Sequence, residues 1–293
     1  MSDIFKNILV PVDFSSNTEV AVKQATELAC TNGSTIHLVH VTKPKALWRV
    51  IRIINLFRSS PNKYYYPKKV KSKLQEWKYA IEESVPDCKV KTYVKEGNVC
   101  VKIRDAAHEI KPQLIIIGNN NTDKHFPFLK SVCPNKLAKS TGCPVMTVMK
   151  NTLHTRIKII VVPVGSFIPN RKIDLVTEFA KKYRAAIHLV TIPDEIVIDE
   201  SKGSSFLETF RILKNSLTSP IEHHIMKGHN LPKAILEYAE YVGADLILVN
   251  PGTETKISSL TGKHINDALT TSSKLRVLSI EPDHNNRLTT VID

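Results

Sequence analysis

At 293 residues the chain has the length of two domains of ~150 residues each, and 42% apolar with 24% charged residues is the composition of a folded chain. Collagen-like and wholly disordered chains are excluded on that ground. The 41 basic and 28 acidic residues leave +13, which points to nucleic acid, an anionic membrane or an acidic partner if the charge belongs to the whole chain. It does not: residues 1–150 hold 24 basic and 12 acidic residues, residues 151–293 hold 17 and 16, and residues 43–78 alone hold 11 basic residues against Glu76.

Taken in chain order, the first element is KNILVPVDFS (6–15), an apolar, β-branched run of the kind a parallel strand buried on both faces requires. Val20, Ala21, Gln24, Ala25, Leu28 and Ala29 then recur at spacings of three and four, which predicts a helix. Ser15, Ser16 or Asn17 is its candidate cap and Gly33 its stop. TIHLVHV (35–41) is a second strand. YVKEGNVCVKIRDAAHEIKPQLIIIG (93–118) reads as strand, Gly turn, helix and buried strand, and CPVMTV (143–148) closes the series after a further helix.

The second half repeats this order. IKIIVVPVGS (157–166) answers the first strand, Ile173, Val176, Phe179, Ala180 and Tyr183 answer the helical stripe, and AIHLVTI (186–192) answers TIHLVHV. HIMKGHNLPKAILEYAEYVGADLILVN (224–250) and LRVLSI (275–280) complete the copy. Strands alternating with helices require right-handed crossovers and a parallel sheet covered on both faces. The predicted architecture is α/β, two doubly wound five-stranded parallel-sheet domains over 1–150 and 155–285, joined by MKNTLHTR (149–156). The tail after Pro282 reads as loose or packed as an edge.

ILVPVDFS, the IHLVHV strand, the Gly turn and helix, and LIIIG followed by a loop and CPVMTV resemble the universal stress protein family, as two tandem copies over nearly the whole chain. The resemblance implies an adenine nucleotide alpha hydrolase-like fold. It also implies pairing through the last strands, here within one molecule, so that the second domain completes a pseudo-twofold dimer. A homodimer of whole chains stays open beside it. ATP is the implied cofactor, with Mg2+ only alongside nucleotide. Members use an acidic residue after strand 1 and a loop after strand 4 reading G-2x-G-9x-G-[S/T]. In open α/β sheets ligands lie at the carboxyl ends of strands where the order reverses, and glycines and helix N-termini admit phosphates there.

Carried over by position, the implied nucleotide-binding residues of the first copy are Asp13, Val41, Gly118, Asn121 and Ser131. The last two stand where the family has glycine, and Val132 stands at the Ser/Thr position. In the second copy Gly165 replaces the acid, and a one-residue slip brings Gly252, Gly262 and Lys263 onto the loop pattern. Both sites are therefore partly degenerate. Asp13 also reads as a helix cap or loop acceptor, Gly118 and Gly252 as turn glycines, and Lys263 as a solvent-facing side chain.

The copies differ most between strands 2 and 3: Val41 to Gly97 spans 56 positions and Ile192 to Gly228 spans 36, an excess of 20. The excess lies in 43–77, with Trp48, Ile51, Ile54 and Phe57 in its apolar half and Tyr64–Tyr66 before Lys68, Lys69, Lys71 and Lys73. It reads as a helical arm packed on the protein, as an anionic-membrane contact, or as a surface for nucleic acid or an acidic protein.

No S-G-G-x-D-S, H-x-G-H or G-x-x-x-x-G-K-[S/T] signature is present, and no catalytic residues are assigned. His223 and His224 are adjacent on a predicted strand, so they face opposite ways and cannot share a metal, and no metal site is read. Five cysteines at 30, 88, 100, 133 and 143, without C-x-x-C, read as free thiols, with Cys143 in the core. No apolar run reaches the ~18–20 residues of a membrane span. The N-terminus MSDIFKNILVPVDF lacks the marks of a secretory signal, so a cytoplasmic location is expected. The expected function is a stress-response binding or regulatory module, with a nucleotide-free protein- or membrane-docking adaptor and a weak ATPase as alternatives. Its protein partner is not written in the sequence.

Overall fold

The computed structural model describes residues 5–29, 33–42, 67–118, 132–152, 155–192, 198–199, 203–227, 230–252, 254–255, 265 and 273–282. The chain divides into two compact units, Asp3–Cys133 and Pro134–Asp293.

The first unit runs β1 (Asn7–Val12), α1 (Ser16–Ala29), β2 (Thr35–Thr42), α2 (Pro67–Ser84), β3 (Lys89–Glu96), α3 (Val99–Ile110) and β4 (Leu114–Gly118). Its strands are parallel in the order β4-β1-β2-β3. The chain thus leaves β1 in one direction and returns on its other side, which sets the switch point between β1 and β4. Internal strands are buried nearly throughout, whereas the edge strand β3 alternates. The stripe expected on α1 is buried in full. Ser15 caps it: its carbonyl takes Glu19 N–H (3.1 Å) and its hydroxyl takes Thr18 N–H (3.3 Å).

The second unit runs α4 (Pro134–Thr141), β5 (Val145–Val148), β6 (Ile159–Pro163), α5 (Asn170–Tyr183), β7 (Ala186–Thr191), β8 (Ile198–Asp199), β9 (Gly203–Ser204), α6 (Ser205–Ser216), β10 (Ile221–Ile225), α7 (Leu231–Tyr241), β11 (Leu246–Val249) and β12 (Arg276–Ser279). The small β8–β9 hairpin stands apart, and the sheet order is β10-β7-β6-β11-β12-β5. All ladders of that sheet are parallel except β12 with β5, where Val277 faces Thr147 and Ser279 faces Val145. The stripe expected on α5 is buried. The helix expected before β12 and the tail after Pro282 lie outside the described residues.

Each sequence copy supplies five strands, yet the packing divides at Cys133–Pro134 rather than near residue 150. The reason is the antiparallel ladder: β5, last strand of the first copy, pairs with β12, last strand of the second. Asn135 on α4 adds a side-chain bond to Ser279 on β12 (2.8 Å). Arg276, 1% exposed, holds the intervening segment by donating to the carbonyls of Thr152 and Thr155, both at 2.7 Å.

Both Val-Pro-Val motifs do the same work. The β1–β4 ladder ends at Leu9 and the β6–β11 ladder at Val161, each two residues before the proline. Proline has no N–H with which to extend a ladder, so each switch-point pair of strands parts beyond it.

His37, 4% exposed, donates from Nε2 to Asn7 Oδ1 (3.2 Å), and its Nδ1 meets the Tyr93 hydroxyl (3.1 Å). Burial first, then the Lys91 charge, push its pKa from 6.5 down to about 4. Between those values the unfolded chain takes up a proton that the folded chain refuses. Stability is therefore unaffected by this group above pH 6.5 and falls as pH drops towards 4. The expected loss is up to about 3 kcal/mol, and His37→Asn should flatten that limb in urea midpoints measured against pH.

Cys88 and Cys143 are buried and Cys100 and Cys133 half-buried, and none of the four is in a disulfide. No described helix is long and apolar enough to cross a membrane.

Candidate functional site

Asp13 follows the last residue of β1, at the switch point of the first unit. Its Oδ1 accepts from Ser15 N–H (2.9 Å) and from the Thr18 hydroxyl. That half of the carboxylate closes the turn into α1, as the capping reading expects. Its Oδ2 is buried and has no partner among the described residues. Beside it on β2, His40 donates from Nδ1 to Val12 O (2.6 Å), which leaves Nε2 as a lone-pair acceptor, also buried and without a partner among the described residues. Burial lowers the pKa of His40, against the opposing pull of the Val12 bond and the Asp13 charge, so the ring is held neutral.

Phe14, in the left-handed region at φ 62, lays its ring 5.0 Å from His40 and edge-on to Trp77 at 5.4 Å. Lys73 Nζ stands 5.1 Å from the same ring. Trp77 and Lys73 belong to α2, whose buried Val70, Leu74 and Ile81 seat it on the unit while Lys69 and Lys71 are exposed. For residues 67–78 this is the packed basic arm expected from the sequence. Residues 43–66, with Trp48 and Tyr64–Tyr66, lie outside the described residues. Val41, at the carboxyl end of β2, is half-buried two residues before the strand is followed by that segment.

Gly118 ends β4 against the first turn of α1. A Cβ there would lie 2.2 Å from Asn17 O and 2.9 Å from Thr18 N. The glycine is required by this close approach of helix to strand, before any role towards a phosphate. Asn121 and Ser131 lie outside the described residues, so the structure joins only Asp13, Val41 and Gly118 of the implied first-copy set.

The second unit fills the same location differently. Gly165 carries no carboxylate, and its carbonyl accepts from the Ser205 hydroxyl (2.8 Å). Lys172 on α5, 1% exposed, donates from Nζ to Pro163 O at the end of β6 (2.9 Å) and to Glu254. Glu254, beyond β11, also accepts Asn250 N–H (2.7 Å). Burial pulls the Lys172 pKa down, while the charge and hydrogen bond of Glu254 oppose it. The pair spans the switch point between β6 and β11. Beside it a cavity of about 10 Å3 is lined by Phe167, Arg171, Lys172, Asn250 and Pro282 among others, far below the roughly 300–1,000 Å3 of ligand pockets.

Gly252 sits at φ +103, a turn conformation open to glycine, with its N–H on Thr255 Oγ1 (3.1 Å). Gly262 and Lys263 lie outside the described residues. His40, Lys172 and Glu254 escaped the sequence reading. His40 had one signal, as the position where IHLVHV carries His and AIHLVTI carries Thr191; the ion pair had none.

The sequence model of the Universal stress protein family matches residues 4–149. Among solved structures, a universal stress protein from Archaeoglobus fulgidus DSM 4304 is 15% identical with a TM-score of 0.68, over 96% of this chain and 98% of that one. A functionally unknown protein from Pseudomonas aeruginosa PAO1 is 16% identical with a TM-score of 0.52, over 96% and 95%. The cytoplasmic domain of a prokaryotic cation chloride cotransporter is 9% identical with a TM-score of 0.55, over 94% and 95%. At such identities the likeness is one of fold. No curated protein matches the chain in sequence.

Proposed function

We propose, for a chain that belongs to the universal stress protein family through residues 4–149, a tandem stress-response binding module in which the first copy takes an adenine nucleotide and the second has become structural. The observation that carries this reading is the pair of buried acceptors, Asp13 Oδ2 and His40 Nε2, at the β1–β4 switch point, neither with a partner among the described residues. A buried acceptor without a donor costs about 1–3 kcal/mol. An adenine amino group or ribose hydroxyls supply the donors this site lacks, so binding would recover that cost. Asp13 and His40 would hold the base or sugar, with Val41 at the rim. Mg2+ would enter only with the phosphates. The second copy instead carries Gly165 in place of the acid and the Lys172–Glu254 pair across its switch point.

We infer no catalysis by the protein itself. Asp13 Oδ1 is engaged by Ser15 N–H and the Thr18 hydroxyl in closing the turn into α1, and His40 Nδ1 by the Val12 carbonyl. Steady-state ATP turnover above background, lost in Asp13→Ala, would overturn this.

ATP with Mg2+ at 100 times its dissociation constant is expected to stabilise the protein by about 2.7 kcal/mol, read as a thermal shift. Asp13→Ala should abolish the shift. Lys172→Met, in the other unit, should leave it in place. The absence of a shift with ATP, ADP and AMP would leave the adaptor as the function.

A further inference from the structure

Outside the switch points, the described residues hold one cluster whose chemistry no part of the fold uses. It lies on one face of the edge strand β10 and its neighbour β7. Glu222 and His224 are two apart on β10 and so share a face, and the parallel register sets His188 of β7 directly opposite Glu222. His223 takes the other face, 5.0 Å from the Phe210 ring, as the strand reading of the histidine pair required.

His224 Nε2 lies 3.2 Å from Glu222 Oε2, His188 Nε2 lies 4.0 Å from the same oxygen, and one ligand atom from each residue falls within 4.8 Å of the others. The donors around a tetrahedral zinc ion, at bonds of ~2.0–2.2 Å, stand roughly 3.3–3.5 Å apart. One pair already has that spacing. The His188–Glu222 pair closes by under about 1 Å through Glu222, whose side chain is 59% exposed, and the two imidazoles by under about 1.5 Å through His224, 37% exposed.

The second layer is present as well. Tyr238 of α7 meets His188 Nδ1 through its hydroxyl at 2.8 Å. That hydroxyl can accept the Nδ1 proton and leave Nε2 as the ligand atom, the arrangement found behind metal-bound imidazoles.

We propose that His188, Glu222 and His224 bind a zinc-class divalent transition metal, with Tyr238 as the residue that positions His188. Two imidazoles and one carboxylate select such an ion over Mg2+ or Ca2+, which prefer oxygen ligands. Three protein ligands leave a fourth position for water or a small anion. The ion would clip the edge strand β10 to β7 and to α7 above them. The site is independent of the nucleotide reading, which rests on the other unit.

The test uses the full chain, stripped with a chelator and titrated with Zn2+ against a chromophoric competitor, and with Co2+ followed by visible absorption. One equivalent is expected, unaffected by millimolar Mg2+, with a Co2+ spectrum that lacks a thiolate charge-transfer band. Glu222→Gln with His224→Ala, both at exposed or half-exposed positions, should weaken Zn2+ binding by at least ~100-fold, and Tyr238→Phe by roughly 10-fold. Unchanged circular dichroism and melting temperature of the metal-free variants show that the fold is kept. No Zn2+ binding, binding that the double variant retains, or a thiolate band would each overturn the proposal.

Discussion

Lys172→Ala is expected to lower the stability of the second unit by about 3–5 kcal/mol, because it strips the partner from a carboxylate that cannot reach water. Lys172 and Glu254 side chains are 1% and 4% exposed. Once the ammonium is gone, Glu254 keeps the Asn250 N–H but has lost its cation. It must then either stay charged out of reach of water or take up a proton. In a unit of this size the loss corresponds to a fall in melting temperature of roughly ten degrees. Lys172→Met combined with Glu254→Gln should recover most of it, since a buried ion pair contributes little over neutral side chains of the same shape. Urea denaturation of the wild type, Lys172→Met, Glu254→Gln and the double variant gives the coupling energy. A coupling under about 1 kcal/mol would show that the pair is solvated, as surface pairs are. The switch point of the second copy would then be open to a ligand after all.

The fold was legible because it is written in repeated apolar runs. ILVPV and IVVPV are buried strands, and the stripes from Val20 to Ala29 and from Ile173 to Tyr183 are buried helix faces. Asp13 could be placed at the end of β1 from its position alone, and one of its oxygens does close the turn into α1. Pairings across long separations were not legible. Lys172 and Glu254 stand 82 residues apart, and no periodicity links a lysine at a helix start to a glutamate in a loop. The metal-type trio needed the β7–β10 register before His188 could be set opposite Glu222. His223 and His224 are neighbours on the strand and face apart, while the ligand chemistry lies at the alternate positions Glu222 and His224. The boundary at Cys133–Pro134 was hidden for the same reason: β5 closes the first copy in the chain but ladders with the last strand of the second.

Gly118→Ala is expected to cost 3 kcal/mol or more, at or above the upper end of the ~1–3 kcal/mol that overpacking costs. The added methyl would stand 2.2 Å from Asn17 O and 2.4 Å from Asn17 C. Both are backbone atoms, so no side chain can swing away. The first turn of α1 cannot retreat cheaply either, since Ser15 caps it and Asp13 holds both Ser15 N–H and the Thr18 hydroxyl. The control is Gly142→Ala. Gly142 has φ +66, and an added methyl would meet nothing within 4 Å among the described residues, so this variant should show only the backbone cost of about 1 kcal/mol. Equal losses for the two variants in urea denaturation would mean that the helix does not approach the strand as described. The same substitution reaches the proposed site, because displacing Thr18 removes one of the two donors that hold Asp13 Oδ1 and turn Oδ2 towards the switch point. Gly118→Ala should therefore shrink the ATP-induced thermal shift as well as the starting stability, whereas Gly142→Ala should change only the latter.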